Sequence, residues 1–182
     1  MEYFDVVDEN GQPTGDTVSR KEAHEKGIAH RTAHVWLVRE RAGEIEILLQ
    51  KRSQDKDAFP GQLDTSSAGH IPQGEEPADS ALRELKEELG VLAEKKDLHD
   101  IGHFFISYDK VFHGNLFRDR EYVYVYYLRE ERDEEDFTIQ KEELDSVVWQ
   151  KFSEVYEARK KEDPRYCAPL KGLEILKNAL DI

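Results

Sequence analysis

The sequence predicts an α+β protein, a mixed β-sheet packed against helices. Three observations lead there. Runs rich in aromatic and β-branched residues dominate the chain and read as strands. One amphipathic helix, residues 77–89, carries stop and start signals at both ends. The tail from Ser153 to Ile182 shows two helical patterns. At 182 residues the chain is expected to be one domain with a buried core. We divide it into an N-terminal hairpin at 3–19, a core at 30–151 and a helical tail at 153–182.

The elements follow in order. "YFDVVDENGQPTGDTVS" alternates around Asn10-Gly11, which predicts a hairpin. "RKEAHEKG" reads as a short helix ending at Gly27. "TAHVWLVRE" and "EIEILLQKR" read as two strands joined by a tight turn, and "DKDAFPGQLDTSSAG" as a loop. The central helix has Pro77 at its first position and Gly90 just past its end. "IGHFFISYD", "EYVYVYYLRE" and "LDSVVWQKF" read as further strands. "REERDEEDF" is a charged connection, and the helical tail breaks around "EDPRYCAP".

Charge excludes whole classes of partner. With 40 acidic and 26 basic residues the formal net charge is −14, a field that repels nucleic acid and anionic membrane. No run of 18 apolar residues exists, and the acidic start "MEYFDVVDENG" lacks a signal pattern, so a cytoplasmic protein is expected. Cys167 is the only cysteine, which excludes an internal disulfide and a cysteine-rich zinc site. Exposed apolar positions in the hairpin leave a second copy of the chain open as a partner.

On a helical wheel, Glu84, Glu87 and Glu88 fall within roughly a 100° arc. Leu82, Leu85 and Leu89, with Ala78 and Ala81, lie roughly 130° away. The leucine stripe needs a core, so the glutamates are expected to face solvent or a pocket. Like charges one turn apart repel by roughly 0.2–0.5 kcal/mol per pair. An acidic surface face is one reading; a cation site is the other. Carboxylates at i, i+3 and i+4 converge on one side of a helix, as hard cations such as Mg²⁺ require.

The wider spacing separates the two. Gly69, five residues, Glu75, seven residues, then "RELKEELGV" from Arg83 to Val91 resembles the Nudix box without a departure. At ~10% per fixed position, seven positions match by chance about once in 10⁷ registers. The resemblance implies a Nudix fold and Mg²⁺- or Mn²⁺-dependent hydrolysis of a small-molecule diphosphate, commonly a nucleoside diphosphate linked to another group. It implies Glu84, Glu87 and Glu88 as metal ligands, with Glu84 alternatively orienting a ligand or acting as base. Glu75 and Arg83 support the loop and helix, while Gly69 and Gly74 let the loop turn and approach closely.

The flanking stretches "RKEAHEKGIAHRTAHVWLV", "LLQKRS", "FPGQLDTSSAGHIPQGE" and "DREYVYVYY" resemble the isopentenyl-diphosphate isomerase branch of that superfamily. This resemblance implies a second metal site at His24, His30, His70, Asp119 and Glu121, a donor set suited to a transition metal. It also implies diphosphate-binding cations at Arg20, Arg52, Lys56 and Arg83. Two departures favour hydrolysis. The isomerases carry a reactive cysteine where this chain has Ala68, and they keep only the last box glutamate, matching Glu88. An isomerase and a non-catalytic diphosphate-binding protein are the alternatives. Glu142 or Glu143 is a candidate extra ligand or base, and Trp36 and Trp149 are expected in the core.

Overall fold

The computed structural model describes every residue from Met1 to Ile182. Strands β1 (Tyr3–Val7) and β2 (Pro13–Ser19) pair antiparallel as the expected hairpin. The Asp8 carboxylate shapes its turn by accepting the amides of Asn10 and Gln12 at 2.8 and 3.0 Å. Gly11 has φ +75° and lies under the Tyr122 ring, so a Cβ there would sit 2.5 Å from ring carbons. Helix α1 (Arg20–Lys26) is capped by the Ser19 hydroxyl and ends on Gly27 in the left-handed region.

The main sheet contains β3 (His30–Arg41), β4 (Glu44–Arg52), β5 (Leu63–Asp64), β6 (Ser67–His70), β7 (His99–Phe112), β8 (Asn115–Arg129) and β9 (Leu144–Lys151). Its main path runs β5-β4-β3-β8-β7, with β9 on β4 and β6 on β3. The β3–β8 pair is parallel and the others are antiparallel, so the sheet is mixed as expected. Helix α2 (Pro77–Leu89) covers one face. Helices α3 (Phe152–Lys160) and α4 (Leu170–Leu180) cover part of the other. No helix is long and apolar enough to cross a membrane.

Strand β3 is buried on both sides, which explains its unbroken apolar run. Val35 and Leu37 belong to the core under α2, and Trp36 and Val38 to the core under α3 and α4. Trp149 packs in the α2 core with the Arg39 guanidinium 4.3 Å from its ring centre.

Two expectations change. The segment read as a loop contains β5 and β6. "SSAG" has little strand preference of its own, and β6 forms because β3 offers it an edge at Thr32–Val35. Strands β7 and β8 also run on to a two-residue turn at His113-Gly114, both with positive φ.

That edge of β3 is shared, and this positions the site. Residues Val38–Arg41 pair with β4, whereas Thr32–Val35 pair with β6. Between them the sheet forks. Ser66 spans the fork, its hydroxyl accepting the Leu37 amide at 2.9 Å and donating to the Leu48 carbonyl.

Candidate active site

Helix α2 delivers the glutamates. Ala81, Leu85 and Leu89 are fully buried, and Gly90 closes the helix at φ +67°. The expected faces shift by one position. Leu82 is only half-buried and lies outside the core, while Glu88 is 4% exposed. The helix lies across the fork, so the side chain next to Leu85 and Leu89 drops into the gap. There Gln50 Nε2 donates to Glu88 at 3.0 Å and to the Ser66 carbonyl at 3.1 Å. The Ala68 amide approaches Glu88 at 3.4 Å. Burial, reinforced by the charge of Glu84, pushes the Glu88 carboxyl up to about 8.

Glu84 is partly buried and Glu87 is exposed. Burial raises the Glu84 carboxyl, although Arg83 opposes it. A Cβ on Gly69 would lie 2.3 Å from the Glu84 carboxyl carbon, so a side chain there would displace the Glu84 carboxylate. Arg83 is spent on carboxylates. It donates to Glu84 at 2.7 Å, Glu87 at 3.4 Å and Glu75 at 3.3 Å. Glu75 also accepts the Ser80 hydroxyl at 2.8 Å. These bonds tie the loop to the helix, and Arg83 also lines the cleft. Gly74 turns the loop at φ +77° and donates to Asp5 at 2.9 Å.

A second cluster forms on the other sheet face. The candidate ligand atoms of His24, His30, His70 and Glu121 all lie within 4.8 Å of one another. Asp119 joins them, 3.4 Å from His24 Nε2. Strand register explains the convergence: His30 pairs with Glu121 on β8, and His70 pairs with Thr32, one side-chain step along the same face. His24 comes from α1. The Nε2 atoms of all three histidines and Oδ1 of Asp119 are buried with no hydrogen-bond partner. Nδ1 of His30 lies 2.9 Å from the Ile28 carbonyl, which turns Nε2 toward the cluster. Phe4 of the N-terminal hairpin stacks on His30 and His70.

Burial lowers His30 to about 4 and takes His70 well below the ordinary range. Burial and the Asp119 charge hold Glu121 well above it. Burial opposes ionisation of Asp119 too, but the imidazoles of His24 and His30 outweigh it and lower that carboxyl. Three converging imidazoles and two carboxylates fit a transition-metal ion. Orphaned buried polar atoms are otherwise costly, at roughly 1–3 kcal/mol each.

Both clusters open into one cleft of about 830 Å³. Glu84, Glu87, Glu88, His70, Asp119 and Glu121 line it, whereas His24 and His30 lie behind the surface. Arg20, Arg52, Lys56 and Arg83 line it as well. Arg20 is half-buried beside Glu2 and Asp57. Arg52 donates to the Ala58 carbonyl at 2.9 Å and to Asp64 at 3.1 Å. Lys56 bonds Glu143, and Glu143 rather than Glu142 reaches the cleft.

Sequence reasoning missed His34, Asp64 and Tyr108 on the cleft wall, and the closing segment around Tyr166 and Cys167. His34 was findable, because His30, Thr32 and His34 alternate on one face of β3. Burial lowers the His34 imidazole and keeps it neutral. Burial and the neighbouring Asp64 raise the Cys167 thiol, so it is an inert lining group.

Residues 29–170 match the NUDIX domain. The chain is 42% identical over 168 residues to Nudix hydrolase 3 of Arabidopsis thaliana, covering 91% of this chain but 21% of that protein. It therefore spans about a fifth of that relative. It is 39% identical over 147 residues to an uncharacterized Nudix hydrolase of Clostridium acetobutylicum, covering 81% of this chain and 68% of that one. In fold it resembles DR0079 from Deinococcus radiodurans, with TM-score 0.69, 17% identity and 97% and 98% of the two chains covered. It also resembles the NUDIX domain of Shewanella oneidensis NrtR, solved with ADP ribose, with TM-score 0.59, 16% identity and 90% and 98% covered. A cleft in which helix-borne glutamates meet a glycine-tight strand, within a domain matched over residues 29–170, makes this chain a member of the Nudix hydrolase family.

Proposed function

We propose that the chain hydrolyses a phosphoric anhydride bond in a small-molecule diphosphate. The observation that carries this reading is the shared cleft, where Glu84, Glu87 and Glu88 face Arg52 and Lys56. Phosphate oxygens need cations, and the cleft supplies Arg20, Arg52 and Lys56, each paired with a carboxylate that a diphosphate would replace. Arg52 and Lys56 bind the diphosphate, with Arg20 at the rim. Arg83 and Glu75 hold the helix and loop in register. Glu84, Glu87 and Glu88 would hold a Mg²⁺ or Mn²⁺ ion, which would supply charge neutralisation and a more acidic water. Gln50 orients Glu88, and Glu143, the cleft carboxylate outside that set, is left to accept a proton from water.

The family relationship and the ADP ribose complex of the NrtR domain support a nucleotide-type diphosphate. The test is phosphate or monophosphate release with Mg²⁺ across nucleoside diphosphates, nucleotide sugars and prenyl diphosphates. A Glu87→Gln, Glu88→Gln double variant as active as wild type on every compound sinks the reading. Tight binding without turnover assigns a binding protein instead.

The histidine cluster favours a second reading, an isopentenyl-diphosphate isomerase. His24, His30, His70, Asp119 and Glu121 would hold its metal. Ala68 stands on β6 opposite His34, a methyl group where that chemistry needs a proton carrier. Absence of interconversion between isopentenyl and dimethylallyl diphosphate, with metal supplied, removes it.

A further inference from the structure

The β7–β8 hairpin runs past the rest of the sheet. Strand β3 pairs with β8 from Glu121 onward, so residues 107–120 project as a two-stranded arm beside the cleft. On one side the arm is anchored by Phe117, stacked on His24 at 4.3 Å, and by Arg118, which donates to the Glu25 carbonyl at 2.7 Å. On the other it meets the loop 53–62 between β4 and β5, which follows Arg52 and carries Lys56. His113 Nε2 lies 2.9 Å from the Lys56 carbonyl. The Phe59 ring enters the arm, edge-on to Phe112 at 4.8 Å and to Tyr108 at 5.4 Å, with Lys110 Nζ 5.0 Å from its centre.

Phe59 has φ +48°, a left-handed conformation that a residue with a side chain keeps only when its surroundings enforce it. The ring held in the arm supplies that enforcement. Its consequence reaches Arg52 through one peptide plane. Turning φ of Phe59 to a negative value rotates the rigid Ala58–Phe59 peptide, and with it the Ala58 carbonyl. That carbonyl accepts Arg52 Nε at 2.9 Å. Arg52 Nη1 donates to Asp64 at 3.1 Å, the partner that a diphosphate would replace. Once Asp64 is displaced, the Ala58 carbonyl is what keeps the Nη fork turned toward the cleft.

We propose that Phe59 is a positioning residue for diphosphate binding: seated in the β7–β8 arm, it locks the Ala58 carbonyl onto Arg52 and so aims the guanidinium. The proposal rests on the diphosphate reading for what Arg52 binds. Phe59 acts on direction rather than charge, and through it an arm from distant strands becomes part of the phosphate subsite. Backbone strain also sets an unusual order among small replacements. Glycine accepts a positive φ without steric cost and alanine does not, so alanine should misplace the carbonyl more than glycine. A ring that merely filled space would give the reverse order or none.

The test uses the full chain in Mg²⁺ with methylenediphosphonate, a diphosphate analogue with a non-hydrolysable bridge, and reads binding by calorimetry. Nitrogen-15 NMR of the Arg52 Nε–H, assigned by its loss in Arg52→Lys, reads the carbonyl contact without ligand. Phe59→Ala should raise Kd about tenfold, Phe59→Gly about threefold, and Phe59→Tyr, which keeps the ring, less than about twofold. Solvent exchange of the Nε–H should quicken in the same order. In an Arg52→Ala background, Phe59→Ala should change Kd less than about twofold, because its effect runs through Arg52. If Phe59→Ala unfolds, Phe59→Leu, which keeps apolar bulk without the ring, takes its place. Phe59→Gly as damaging as Phe59→Ala overturns the proposal, as does a full Phe59→Ala effect in the absence of Arg52. If wild type does not bind methylenediphosphonate, the diphosphate reading fails, while the Nε–H signal still decides whether Phe59 aims Arg52. If wild type binds and every Phe59 variant binds equally, the diphosphate reading stands and the role of Phe59 falls.

Discussion

Glu88 sits where ionisation is unfavourable, and that has a measurable sign. Its carboxyl is raised from 4.5 to about 8 by burial and by Glu84. A raised folded value means the native state binds the proton more tightly than the unfolded chain. Stability without metal should therefore fall as pH rises from about 4.5 to about 8. Melting temperature against pH checks this, and Glu88→Gln should remove that part of the slope. Divalent-cation binding should release a proton in the same window, giving calorimetric heats that depend on the buffer. Gly69 makes a second residue-scale prediction. Gly69→Ala drives a methyl into Glu84, and a misplaced ligand of about 1 Å lowers turnover on the order of 100-fold. Steady-state kinetics with near-wild-type melting would show that; unchanged kcat would not fit.

At the scale of elements, α2 owes its position to three fully buried side chains, Ala81, Leu85 and Leu89. Leu85→Ala should cost about 2–5 kcal/mol, or a melting shift of very roughly 2–4 °C per kcal/mol at this chain length. Denaturant melts measure it. The same substitution loosens the seating of Glu88 in the fork, so metal affinity should weaken with stability. The N-terminal hairpin is tied to the rest of the fold at several points. Gln73 donates to Tyr3 at 2.9 Å, and Arg31 reaches Asp5 at 3.0 Å. Its Phe4 is fully buried on the histidine pair. Phe4→Ala should cost about 3–5 kcal/mol and admit water to the His24–His30–His70 cluster.

For the whole molecule, the hairpin, sheet and tail helices share backbone bonds and packing, so we propose that residues 1–182 unfold as one unit. Scanning calorimetry should give a single transition, and two separated peaks would refute it. The net charge of −14 surrounds a cleft that needs cations. Long-range attraction of Mg²⁺ is screened over a Debye length of about 10 Å at 0.1 M salt. Apparent Mg²⁺ affinity should therefore weaken when monovalent salt rises from about 20 to about 200 mM. An affinity that ignores salt would assign the binding to the local carboxylates alone.

The amino-acid sequence by itself determined the elements with strong periodicity or punctuation. The bounds of α2, both hairpins and the tail helices were legible because Gly, Pro, alternation and leucine spacing act locally. Helical pitch alone also puts Glu84, Glu87 and Glu88 on neighbouring turns, and all three line the cleft. Tertiary structure decided the rest. Strands β5 and β6 exist because β4 and β3 present edges to them, not because "LD" or "SSAG" prefer to extend. The fork between those strands, which no local pattern encodes, is why Glu88 is buried and Leu82 is not. His24, His30, His70, Asp119 and Glu121 lie on four elements, and only strand register and the docking of α1 bring their donor atoms together. The cleft's deep wall joins β5 to a segment some hundred residues later, at Leu63 and Tyr166. Such contacts arise from burial and pairing between distant segments, which spacing along a chain does not record.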